Sequence, residues 1–133
     1  MMFKQKLYLC LLLIFSISAA NASDKLIGSW TGAVFVDDAP IGMDLKISQV
    51  KTNINGGVLH YGEPRGCRLN IAYIAESNHS YWFTMKESTG GFCDKLAGQR
   101  IIFKLSDGDS SLDFEISSKK TNVPNESGSL SKQ

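Results

Sequence analysis

Between Val58 and Leu69 the chain reads VLHYGEPRGCRL, which sets a histidine, a glutamate, two arginines and a cysteine within twelve residues. Two chemistries suit that set. His60 could take the proton of Cys67 while Arg65 and Arg68 hold the thiolate, since a cysteine nucleophile needs a lowered thiol pKa and a base within reach. Alternatively, Cys67 is half of a disulfide and the charges decorate a turn. The cysteine count favours the second. Apart from Cys10 in the leading apolar run, the chain has only Cys67 and Cys93, and an even pair in an exported chain is usually oxidised. Closing that loop contributes roughly 3–4 kcal/mol by restricting the unfolded chain. No cysteine-protease signature surrounds Cys67, so no catalytic residue is expected and the chain reads as a non-enzyme.

The remaining candidates for chemistry are weaker. His60 and His79 stand alone, without a second ligand at metal-binding spacing. The DGD run at Asp107–Asp109 lacks the further oxygen ligands and the offset glutamate of a calcium loop. No metal and no cofactor is therefore expected. There is no Gly-x-Ser-x-Gly elbow or phosphate loop, and nothing assigns acid and base roles to Glu63, Glu76 and Glu87. Trp82 is different: its neighbours Tyr81 and Phe83 belong to the other face of an alternating run, so it is either an outward protein or glycan contact or part of a strand covered on both faces.

The elements that position these residues begin after residue 22. Lys4 and Lys6, the apolar run Leu7–Ile17 and Ala20-Asn21-Ala22 have the three-part form of a secretory signal peptide. The apolar run falls short of the ~20 residues of a spanning helix. Residues 1–22 are accordingly expected to be removed, leaving 23–133 as a single β-domain, exported to the periplasm or secreted. Without Lys4 and Lys6 there are 12 basic and 13 acidic residues. That balance gives no electrostatic case for nucleic acid and no membrane-binding basic patch.

Period-two hydrophobicity recurs in MDLKISQV (Met43, Leu45, Ile47), CRLNIAY (Cys67, Leu69, Ile71, Tyr73), YWFTMK (Tyr81, Phe83, Met85) and SLDFEIS (Leu112, Phe114, Ile116). Half-buried antiparallel strands have this signature. Turn residues separate them at NINGG, GEPRG, ESTGG and SDGDSS. The fold expected is all-β: one antiparallel barrel or sandwich of about eight strands, up-and-down or lipocalin-like, with one disulfide. The strands are placed near 26–37, 43–52, 57–62, 66–76, 80–87, 99–105, 111–118 and 127–131, the last being a GSL segment that returns to close the sheet.

The order of GSWTG, GGVLHYGEPRGCRLNI, YWFTMKE, a second cysteine and a final GSL resembles a small bacterial extracytoplasmic β-domain. That domain occurs as the sensor-like C-terminal region of some serine/threonine kinases and as free-standing exported proteins. The matching positions are Gly28, Trp30, Gly57, Tyr61, Cys67, Leu69, Phe83, Glu87, Cys93, Gly128 and Leu130, so the resemblance implies a fold and a disulfide rather than an activity. GSW is also similar to the first-strand motif of lipocalins and avidins, although the further tryptophans of an avidin biotin site are missing.

The function expected is an exported, non-catalytic binding protein whose partner is another protein or a cell-envelope glycan. One version is an inhibitor or immunity protein that plugs a toxin or wall hydrolase. Its partner contacts would be Glu63, Arg65, Arg68 and Trp82. The alternative is a lipocalin-like carrier of a small apolar ligand in a barrel cavity lined by Trp30, Tyr73, Phe83 and Phe103.

Overall fold

A computed structural model describes residues 22–106, 108–118 and 125–133. Residues 1–21, which hold nearly all of the expected signal peptide, Asp107 of the DGD run and residues 119–124 of the polar tail lie outside them. Alternation of inward apolar and outward polar residues produces eight strands: β1 Gly28–Val36, β2 Ala39–Ile47, β3 Asn55–Tyr61, β4 Cys67–Ser77, β5 Ser80–Ser88, β6 Arg100–Leu105, β7 Ser111–Ser117 and β8 Glu126–Lys132. In β2, Ile41, Met43, Leu45 and Ile47 are buried while Gly42, Asp44 and Lys46 face water. Each strand pairs antiparallel with the next, and β8 returns to β1 through Trp30↔Lys132, Thr31↔Ser131 and Gly32↔Leu130. The result is a closed up-and-down barrel, the barrel of the two architectures expected, and closure removes the edges of an open sheet.

Backbones approach closely at that closure. A Cβ on Gly32 would lie 2.3 Å from the Ser129 carbonyl oxygen, so only glycine fits there. Inside, Leu45, Leu59, Leu69, Ile71, Phe83, Met85, Ile101, Phe103, Leu112 and Leu130 are almost wholly buried. Each contributes about 1.5–3 kcal/mol of transfer free energy. One mouth is covered by the 3₁₀ turn Ala22–Leu26: Leu26 is buried, and its carbonyl accepts a hydrogen bond from Trp30 Nε1 at 2.9 Å.

Two placements differ from the sequence reading. The second strand starts at Ala39 rather than Met43, and it ends at Ile47 rather than residue 52. The chain reverses in two residues at Asp37 and Asp38, both with positive φ (50° and 65°), as a tight hairpin twisted like its strands requires. The NINGG segment is not itself a hairpin turn. Asn53 supplies a positive φ of 62°, but Asn55, Gly56 and Gly57 already belong to β3. Gly56 is needed for contact: its carbonyl accepts from Ser48 N at 2.7 Å, and a Cβ would sit 2.0 Å from the Gln49 oxygen.

Candidate functional site

The β3–β4 register decides between the two chemistries of the VLHYGEPRGCRL segment. Tyr61 pairs with Cys67 and His60 with Arg68, and alternate residues of a strand point to opposite faces. Cys67 therefore enters the interior while His60 lies on the outer wall, where its Nδ1 is 3.7 Å from Asp44 Oδ2. Cys67 is bonded to Cys93 with 5.9 Å between the Cα atoms. Cys93 opens the one-turn helix α1, Cys93–Leu96, and the crosslink ties that helix to the start of β4. The disulfide is the one expected, and a thiolate nucleophile has no place in it.

An up-and-down barrel puts the β1–β2, β3–β4, β5–β6 and β7–β8 connections at one end. There, Gly62 N donates to Gly42 O at 2.8 Å and draws the GEPRG turn against β2. Arg65 was expected to be a docking charge on that turn, and the structure corrects this. Its side chain is only 7% exposed and makes a bidentate pair with Glu126, which is 6% exposed, at 2.8 and 2.5 Å. Its guanidinium lies 3.6 Å from the Phe92 ring centroid and 4.9 Å from that of Tyr61. Planar Arg suits this role because its flat faces stack while its edge binds a carboxylate twice. The Tyr61 hydroxyl is buried beside the pair without a well-formed hydrogen bond. Burial pushes its pKa up; Glu126 adds to the rise and Arg65 opposes it. The group is a polar plug in the barrel end. Sequence reasoning could not pair residues 61 positions apart, and Glu126 sits in an otherwise polar tail.

The other nominated contacts remain outside. Glu63 and Arg68 are exposed and Trp82 is half-buried on the outer wall. They do not converge: Arg68 shares a cross-strand row with His60 and Asp44, whereas Trp82 pairs with Ile102 on a different part of the wall. The Glu87 carboxyl accepts hydrogen bonds from Glu87's own backbone N–H and from the Asn70 and Asn55 amides, which hold it below its ordinary pKa. Of the four residues expected to line a cavity, three belong to the buried core and Tyr73 is half-buried against it. Trp30, Phe83 and Phe103 are buried, and Phe83 packs edge-on against both Tyr73 at 5.5 Å and Phe103 at 5.4 Å.

One feature of this end was missed in the sequence. Phe35 is 69% exposed, beside half-exposed Val36 and before the Asp37–Asp38 turn. Exposed Ala39 and Pro40 complete the tip. Beyond Gly32↔Leu130, β1 has no further register partners in β8, and a hollow of about 360 Å³ opens between Val34–Val36 and Asn125–Ser127. The signal was readable: in SWTGAVFVDD, Trp30, Gly32 and Val34 take the inward phase, leaving Phe35 outward just before two acids.

These features define a class: a disulfide-stapled, closed eight-stranded meander barrel with a packed apolar interior and its accessible chemistry on the outside. No protein-family model matches this chain, and no curated protein matches its sequence.

Proposed function

We propose that this chain is an exported, non-catalytic binding protein that docks another protein through the end bearing the β1–β2 hairpin. The observation that carries the reading is Phe35, a large aromatic left 69% exposed at the tip of a tight two-residue turn. An aromatic anchor on a rigid turn can fill a pocket at little entropic cost, as interface hot spots do. Asp37, Asp38 and Glu63 are exposed at the same end, so the complementary partner has an apolar cleft with a cationic rim. An exposed hairpin tip of this kind, on a barrel stapled elsewhere by a disulfide, suits an inhibitor or immunity protein that plugs a toxin or wall hydrolase. The disulfide is compatible with the periplasmic or secreted location implied by the leader, and the likeness to extracytoplasmic sensor domains supports the same setting. A carrier would need space where Trp30, Phe83 and Phe103 now pack, so the exterior reading is preferred.

The test compares wild type with Phe35→Ser as bait in envelope extract, followed by titration of the purified captured protein. Expected is one protein held by wild type and rebound in pure form, with the affinity falling at least about tenfold for the variant, as for a hot-spot aromatic. Equal retention by both baits, or no retained protein, would refute the proposal.

A further inference from the structure

On the wall formed by β5, β6 and β7, a hollow of about 560 Å³ opens beside Trp82, Gln99, Arg100, Ile102, Ser117 and Asn125. We propose that it binds a saccharide bearing a carboxylate. The reasoning starts from its hydrogen-bonding groups. Ser118 hydroxyl donates to Gln99 Oε1 at 2.6 Å, and Ser118 N donates to Asn125 Oδ1 at 3.3 Å. Both amide oxygens are thereby engaged, which leaves the two NH2 groups as the ends that can donate to a ligand. Arg100 is exposed, with its guanidinium 5.6 Å from the Trp82 ring. Resting on the indole, it keeps its N–H edge for an acceptor. Trp82 Nε1 is buried with no acceptor among the described residues.

Among the described residues no carboxylate lines this hollow. Glu115, the direct cross-strand partner of Ile102, stands at the border of the hollow and lines the adjoining one with Lys104 and Asp113. A basin lined by amide and guanidinium donors favours an anion, and bidentate Arg favours a planar carboxylate. The rest of the lining says what carries that carboxylate. Ile102 and the uncovered part of Trp82 offer apolar contact for the C–H face of a sugar ring. Ser117 and the amides meet ring hydroxyls. The volume and open outer side suit one or two sugar units of a longer chain.

This site goes beyond hairpin docking and stands independently of it. N-acetylmuramic acid and glucuronate serve as probes, with N-acetylglucosamine as the neutral sugar and acetate as the bare anion. Tryptophan fluorescence reads the titration, since Trp82 is at the site and Trp30 is in the core. Expected is saturable, millimolar binding of an acidic sugar, with neutral sugar and acetate at least about tenfold weaker, as for loss of a charge-assisted hydrogen bond. Arg100→Gln should lose about the same factor. Trp82→Phe should abolish the optical change while amide NMR shifts at residues 99, 100 and 117 persist. Arg68→Gln, on a different part of the wall, should leave the titration unchanged. Equal binding of N-acetylglucosamine would overturn the role of the carboxylate, and equal binding of acetate the role of the sugar. Absence of saturation, or an Arg100→Gln titration superimposable on wild type with its NMR spectrum still folded, would overturn the site itself.

Discussion

Glu126→Gln tests whether the plug at the barrel end is a true ion pair or a pair of replaceable polar groups. Wild type holds Arg65 and Glu126 at 7% and 6% side-chain exposure, with two short hydrogen bonds between them. The variant keeps shape and removes the negative charge, so the guanidinium stays buried facing an amide. Breaking a buried pair on one side costs about 3–5 kcal/mol, because the remaining charge is uncompensated. Stacking on Phe92 and Tyr61 survives the substitution and offsets on the order of 0.5–2 kcal/mol. The expected net loss is therefore about 2–4 kcal/mol, enough to lower the melting temperature by roughly 10 °C or more in a domain of this size. Urea unfolding, followed by the buried Trp30 with the disulfide intact, measures it. Arg65→Met should cost a similar amount by stranding Glu126. The double variant Arg65→Met with Glu126→Leu should recover most of the loss, since apolar residues replace the pair without a desolvated charge. A single-variant cost below about 1 kcal/mol, or a double variant that loses the sum of the singles, would refute the reasoning.

Replacing both Cys67 and Cys93 by Ser should destabilise the domain by about 3.5 kcal/mol at 25 °C, from the loop entropy of the 26-residue separation; intact mass should show wild type two hydrogens lighter than its reduced form. Phe35→Ser should change stability by no more than about 0.5 kcal/mol, whereas Phe83→Ala in the core should cost about 3–5 kcal/mol, both read by urea titration. Glu87 titrates lower in the folded chain than in the unfolded one. It thus contributes stability that is present above its unfolded pKa of about 4.3 and is lost as pH falls toward the lower folded value. Glu87→Gln should flatten the acid limb of a stability–pH profile by lowering its neutral part, with the most acidic part nearly unchanged; an acid limb identical to wild type would count against the carboxylate's hydrogen bonds.

Much of this architecture was legible in the residues alone. Strand phase is a local property: Met43, Leu45 and Ile47 alternate with polar neighbours because a pleated strand has period two, and the same phase turns Cys67 inward and His60 outward. Cysteine parity made the disulfide readable. The GSL segment announced a closing strand that begins one residue earlier, at Glu126. The β1–β2 reversal was misplaced because Asp–Asp lacks the glycine that usually marks positive φ, and Gly56 was misread because its role is contact across the loop. Which strand closes on which, however, depends on the whole circuit of the barrel. That circuit brings Glu126 to Arg65 and converts an apparent docking charge into a buried plug. It also packs Trp30, Phe83 and Phe103 into the interior, separates Trp82 from Arg68, and leaves the Phe35 tip beyond the β1–β8 pairing. Spacing along the chain determines which face a side chain takes, but only closure of the sheet decides which distant side chain meets it there.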